Sequence, residues 1–362
     1  MNFNNSVIDW KQVDNVISSS NRILLTTHEN PDGDGLGSEV AMYHHLRDEN
    51  KDVKIISLLP AATEILCDLG LADNIIGVSE ECNYPDIVED KRIISRIRFD
   101  LEDKTNLEID NAISNLINQG LSPYIIDEDL IEELNPDFII SQETCAVCAA
   151  SKNDIKKINV DNKIVDYSPL TLEDIPESIL NISDKLGVKE KGLEIKKKFQ
   201  FEINEISSKT KNIVDRPRVF AMEWIDPIYI AGHWVPDMIN IAGGKELYGK
   251  GGEKSQKLNF NKIIDYSPNY IFIMPCGYSV EKTLNEIDIL LSNKDLNKIP
   301  AFNSGNVYIV DADSYYTRPG PRIIEGIKII ARTISPLNYQ YEPKPDSIIN
   351  LQNFIHFESF AG

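Results

Sequence analysis

The feature that most limits the fold of this chain is a proline-free helical run over residues 189–211, set between two blocks of alternating strands and helices. At about 1.5 Å of rise per residue such a helix is about 35 Å long, enough to act as a rigid spine between two lobes. Before it, short apolar runs at 53–59, 75–78, 93–95, 138–141 and 164–167 read as strands, and 60–69, 110–119 and 129–134 as helices. Thr171-Leu172-Glu173-Asp174 resembles a capping box with Asp in place of Glu, opening a helix to about Leu186 that Gly187 stops. After Pro217 the alternation restarts, with strands at 218–222, 270–274 and 307–310 and a last clear helix at 322–334. Strands alternating with helices imply mostly parallel sheets covered on both faces. Beyond Pro336 the chain is weakly periodic and reads as a tail.

Charge and cysteine content narrow the function. A formal net charge of −20 over 362 residues repels phosphate backbones and argues against nucleic acid or a polybasic membrane-surface role. Five cysteines in a chain of this length are not a disulfide framework. No apolar run approaches the roughly 18–20 residues that span a bilayer, so membrane insertion is not expected. The opening MNFNNSVIDW lacks a basic region followed by an apolar one, and the expected compartment is the cytoplasm.

The sharpest local motif is His28-Glu29-Asn30-Pro31-Asp32-Gly33-Asp34, read as a tight glycine-rich turn between a strand at 22–27 and a helix at 39–50. His28, Asp32 and Asp34 are suitable ligands for Mn²⁺ or Mg²⁺. This stretch resembles the first metal-binding motif of DHH-family phosphoesterases over about 50 residues. The family builds a two-metal site from further motifs, including an Asp-His-His triplet. They are absent here: His44-His45 follows Tyr43, and His233 and His356 complete the five histidines. The resemblance therefore implies a fragment with a vestigial metal site; an active phosphoesterase is the competing reading. The strand at 53–59 is expected to serve both this fragment and the lobe that follows, with the fragment extending that lobe's sheet.

A longer resemblance covers about 54–336. The segments IISLLPAATEIL, GVSEECNYP, ELNPDFIISQETCAVCA, RVFAMEWIDPIYIAGHWVPDMINIAGG, YSPNYIFIMPCGY and VYIVDADSYYTRPGPR occur in order. They resemble cobalamin-binding proteins related to the iron-siderophore and B12 class of solute-binding proteins. The resemblance implies an α/β fold of two Rossmann-like lobes joined by a long linker helix, with a ligand cleft between them, and no catalysis. The resulting division is a DHH-type β-α fragment at 1–53, a first lobe at 54–170, linker helices at 171–215, a second lobe at 216–336 and a tail at 337–362.

In open parallel sheets ligands sit beyond the carboxyl ends of the strands. Those positions carry Glu81, Cys82 and Tyr84; Gln142, Cys145 and Cys148; Trp224, His233 and Trp234; Cys276; and Tyr315, Tyr316 and Arg318. Trp224, Trp234, Tyr315 and Tyr316 are candidates to stack on a corrin, or alternatively fill the lobe cores. Arg318 suits an amide, phosphate or carboxylate. Cys82, Cys145, Cys148 and Cys276, with His233, suit a thiolate-rich site for Zn²⁺ or cobalt; buried inert thiols or a Cys145–Cys148 disulfide are the alternatives. Glu81, Ile97 and Gln142 stand where B12-binding relatives have cleft aromatics. Relatives dock a permease through one acidic residue per lobe; the matching positions here are Asp129 and Asn261, so the second charge is missing and binding is favoured over transport. Three functions compete: a binder of cobalamin or another metal chelate, a phosphoesterase, and a thiol-based metal or redox protein.

Overall fold

The computed structural model describes residues 10–18, 23–28, 31–48, 53–101, 104–142, 150, 154–155 and 158–354. Two compact units divide the chain, Met1–Lys51 and Asp52–Gly362.

The first unit contains α1 (Trp10–Ser18) and α2 (Gly33–Asp48). It departs from the sequence reading twice. Residues 23–28 form no strand, and Leu24 is exposed; a short apolar run without a partner has nowhere to place its backbone hydrogen bonds. The glycine-rich turn is instead the first turn of α2. Asp32 caps it, its Oδ1 accepting from Gly35 N–H at 2.9 Å and its carbonyl from Leu36 N–H at 3.1 Å. An Asp at the N-cap thus outweighs the low helix propensity of the glycines that follow.

The second unit holds two sheets, each six-stranded among the described residues. The first lobe runs β1 (Ile55–Ser57), α3 (Pro60–Asp68), β2 (Ile75–Ser79), β3 (Arg92–Ile97), α4 (Asn106–Asn118), β4 (Tyr124–Ile126), α5 (Glu128–Leu134), β5 (Phe138–Ser141) and β6 (Ile164–Asp166). Its strand order is β4-β3-β2-β1-β5-β6, parallel except for β4 against β3. Both edges of β1 are occupied, by β2 and β5. It is a fully buried interior strand, not the shared edge expected from the sequence.

Two helices then cross between the lobes, α6 (Asp174–Lys185) and α7 (Lys189–Thr210). The Thr171–Asp174 box forms reciprocally: Asp174 Oδ2 accepts from Thr171 N–H at 2.8 Å, and Thr171 Oγ1 from Asp174 N–H at 3.3 Å. Helix α7 has 22 residues, about 33 Å at helical rise. Gly192 lies inside it because α6 passes so close that a Cβ would overlap the Ser183 side chain. Ile175, Ile179 and Ile182 of α6 and Phe199 and Ile206 of α7 join residues of both lobes in one buried cluster. The linker is therefore part of the core.

The second lobe runs β7 (Val219–Trp224), β8 (Tyr229–Ile230), α8 (Val235–Ile241), β9 (Gln256–Lys257), α9 (Phe260–Tyr266), β10 (Tyr270–Ile273), α10 (Val280–Leu284), α11 (Ile287–Leu291), α12 (Pro300–Asn303), β11 (Val307–Val310), α13 (Ala312–Tyr315), α14 (Ile323–Ile334) and β12 (Ile348–Asn350). Its order is β12-β11-β10-β7-β8-β9, with a parallel centre of β11, β10 and β7. Ile323, Ile327, Ile330 and Ile334 put one stripe of α14 into the core. The stretch read as a tail closes this sheet: β12 pairs antiparallel with β11, Val310 opposite Ile348, and Tyr339 and Leu351 are buried. Its short length and single strand leave little periodicity to read. No helix among the described residues is long and apolar enough to cross a membrane.

Candidate functional site

The carboxyl ends of the parallel strands of the two sheets face each other, and the loops leaving them meet at two places. The first is built around Arg318, on the loop after β11 and α13. Only 5% exposed, its guanidinium reaches across the cleft. Nη1 donates to Glu64 Oε1 of α3 at 3.2 Å and to Asn83 Oδ1 at 2.7 Å. Nη2 donates to the Glu81 carbonyl at 3.2 Å and to Asp313 Oδ1 and Oδ2, both at 2.7 Å. Glu64, 3% exposed, also accepts from Arg322, through Nε at 2.7 Å and through Nη2. Asn83 Nδ2 donates to Asp313 Oδ2 at 3.3 Å. The Arg322 guanidinium lies 4.1 Å over the Tyr84 ring. Planar forks suit such multiple acceptors. The two arginines of the second lobe thereby latch α3 and the 80–84 loop of the first.

The second meeting point is the start of α4, whose Thr105–Glu108 capping box is fully formed. Asn106 is buried and works in three directions: its N–H donates to Glu286 Oε2 at 2.6 Å, its carbonyl accepts from Trp224 Nε1 at 3.1 Å, and its Oδ1 accepts from Ile225 N–H at 3.0 Å. Tyr229 donates to Asp110 at 3.2 Å beside it, and Tyr278 to Glu286 at 2.9 Å. Trp224 meets Tyr278 edge-on with centroids 5.5 Å apart. Sequence reading passed over Asn106; its signal was the Thr-Asn-Leu-Glu capping box, which starts the helix at that residue.

Between the two contacts the site is polar and mixed in charge. Burial pushes the Glu81 carboxyl up to about 7, opposed by the charge of Arg318. The Lys282 ammonium sits 4.0 Å over the Tyr278 ring, and burial lowers its pKa. Glu81, Tyr84 and Arg318 thus stand at the first contact and Trp224 at the second.

Other candidates fall elsewhere. Tyr316 is 1% exposed, its hydroxyl donating to the Gly326 carbonyl at 3.2 Å, and Tyr315 is buried in the same cluster. Both belong to the core rather than to a stacking surface, because α13 turns them back under α14. Trp234 Nε1 donates to the Tyr316 carbonyl at 2.7 Å, and the His233 and Trp234 rings lie 5.5 Å apart. Gln142 is buried after β5. Cys145 and Cys148 lie outside the described residues. Cys82 is buried, Thr63 Oγ1 lies 3.1 Å from its Sγ, and burial pushes its thiol up to about 12. Burial thus opposes the thiolate, the form that binds metal. Cys276 is half-buried, its N–H donating to the Glu223 carbonyl at 3.2 Å. His28 Nε2 is 3.5 Å from Asp32 Oδ1, an oxygen that the α2 cap already uses, and Asp34 lies in the first helical turn. Among the described residues no three His, Cys, Asp or Glu side chains converge on a possible metal position; neither the His28–Asp34 set nor the described cysteines assemble one.

Two sheets whose strand ends oppose each other across a linker-spanned cleft suit the holding of a solute between the lobes. The chain belongs to the periplasmic binding protein family, whose model matches residues 55–314. It is 26% identical over 298 residues to the ABC transporter substrate-binding lipoprotein YvrC of Bacillus subtilis, covering 78% of this chain and 80% of that protein. It is 25% identical over 277 residues to the vitamin B12-binding protein of Vibrio parahaemolyticus, covering 76% and 86%. In fold it is similar to the periplasmic haem-binding protein RhuT of Roseiflexus, with a TM-score of 0.60 at 20% identity over 78% of this chain and 98% of that one. The cytoplasmic compartment expected from the sequence is overturned by these findings: the family is one of periplasmic proteins and the Bacillus relative is a lipoprotein.

Proposed function

We propose that the chain binds a cobalamin-type corrinoid between its lobes, as an ABC-type substrate-binding protein. The observation that carries this reading is that the loops at the strand ends of both lobes bring aromatic and polar side chains to the cleft. Trp224 and Tyr84 offer flat surfaces to a macrocycle. Glu81, Asn83, Glu223 and Lys282 offer donors and acceptors to the amide side chains that rim a corrin. The likeness to a vitamin B12-binding protein over most of both chains supports the same ligand class. Glu81 and Gln142, standing where such relatives carry aromatics, shift recognition from stacking toward hydrogen bonding.

The test is thermal unfolding with cyanocobalamin, cobinamide and haem in parallel. At a hundredfold excess over Kd a ligand stabilises by about 2.7 kcal/mol, roughly 4 °C for a unit of this size. A rise with the corrinoids and none with haem is expected; a rise with haem alone would replace the corrinoid by a porphyrin.

A further inference from the structure

Helix α4 differs from every other helix of the second unit. None of its residues joins a buried core cluster among the described residues, whereas α3 and each helix from α5 to α14 supply at least one. Only Asn106 and Ile109 of its 13 residues are buried, and Leu107 and Ile117 are 42% and 46% exposed. An isolated helix of that length is marginal in water. The order of α4 therefore depends on its first turn: on the Thr105–Glu108 capping box, and on the bonds of Asn106 to Glu286, Trp224 and Ile225 and of Asp110 to Tyr229. Past its C-terminus Gly120 turns the chain with φ of 70°, and a Cβ there would meet nothing within 4 Å.

The two contacts between the lobes are unequal as a result. The one at Arg318 sits on a core that both lobes share. Ala61, Ala62 and Ile65 of α3 lie in one cluster with Tyr316 and Ile323 of the second lobe, and Tyr167, just after β6, donates to the Pro319 carbonyl beside Arg318. Opening there would divide a core. Opening at α4 breaks a few hydrogen bonds that water replaces at small net cost, and it moves no residue of a core cluster. The closed arrangement also leaves Asn106 Nδ2 buried without a hydrogen-bond partner, a donor that opening returns to water.

We infer that α4 is a gate, with Asn106 as its catch: its first turn releases from the second lobe while the Arg318 contact stays closed, and the cleft opens at that end. Elements that move to admit a ligand come from the least stable parts of a fold, and α4 is the helix without core support. Release frees the Trp224 indole and the Ile225 N–H, which the closed gate holds.

The test is amide hydrogen exchange of the full chain without ligand, followed residue by residue by NMR. The Ile225 N–H is the reporter, because Ile225 belongs to the second lobe and is 2% exposed, yet donates to Asn106 of the first. A gate makes Ile225 exchange together with the amides of residues 110–118, roughly a hundredfold or more faster than those of β7 at 220–222. Tyr229→Phe removes the bond to Asp110, and Trp224→Phe removes the bond to the Asn106 carbonyl. Each is expected to speed Ile225 and residues 110–118 by one common factor of about 2–10 and to leave α14 unchanged. An Ile225 N–H protected as strongly as 220–222, or variants that fail to speed it in step with α4, would overturn the gate and make α4 a fixed strut. The readout needs no corrinoid, so its outcome is independent of the ligand proposed above.

Discussion

Replacing Arg318 by alanine removes the centre of the contact between the lobes. The guanidinium serves the Glu64 carboxylate, the Asn83 side chain, the Glu81 carbonyl and the Asp313 carboxylate, and is 5% exposed. Its loss is not uniform. Glu64 keeps Arg322, and Asp313 keeps Asn83, but the Glu81 carbonyl loses this donor and the Glu81 carboxyl loses a compensating charge. Removing one member of a buried ionic cluster typically costs about 3–5 kcal/mol because the partners stay desolvated. For a unit the size of residues 52–362 that is a fall in Tm of about 5–8 °C. Arg318→Lys is expected to recover little, since an ammonium cannot reach four acceptors in a planar fork. Circular dichroism melts of the wild type and both variants measure the effect. A Tm within about 1 °C of wild type for Arg318→Ala would refute the latch, since it would mean the cluster is solvated rather than buried.

Three further outcomes follow from particular contacts. Asn106→Ala strands the Ile225 N–H and should destabilise by about 1–3 kcal/mol; urea unfolding reads it, and an unchanged midpoint would count against the second lobe contact. Gly192→Ala should destabilise by about 1–3 kcal/mol through overpacking, although alanine is the better helix former by about 1 kcal/mol. A gain in stability would mean α6 and α7 are not in close contact, and adding Ser183→Gly should relieve the clash. Glu81 and Glu246 have carboxyls pushed up to about 7 by burial, from 4.5. The folded state then holds protons that the unfolded chain releases, so their contribution to stability falls as pH rises from about 4.5 to 7. Glu81→Gln should flatten a plot of Tm against pH in that window; an unaltered slope would place Glu81 in solvent.

The sequence made the frame legible because its signals are local. The spine helix at 189–211, the Thr171–Asp174 box and the strands at 219, 270 and 307 each depend on residues within a few positions of one another. What it missed depends on distant partners. Arg318 and Glu64 are 254 residues apart, so no spacing rule pairs them. The rule that ligands sit at strand ends located the correct loops, but it does not say which way a side chain turns on leaving the strand. Tyr315 and Tyr316 therefore read as cleft residues and lie in the core. At His28–Asp34 a helix cap and a metal loop use the same residue types, and here the Asp32 carboxylate caps α2 by accepting from the Gly35 N–H.

Isothermal titration of the purified chain with cobinamide tests the central claim most directly, because it reads binding without depending on any spectral change. The expected result is saturable binding of one corrinoid per chain, with a negative heat-capacity change from the apolar surface covered between the lobes. No heat and no saturation at high micromolar corrinoid, over a range of temperatures, would contradict it.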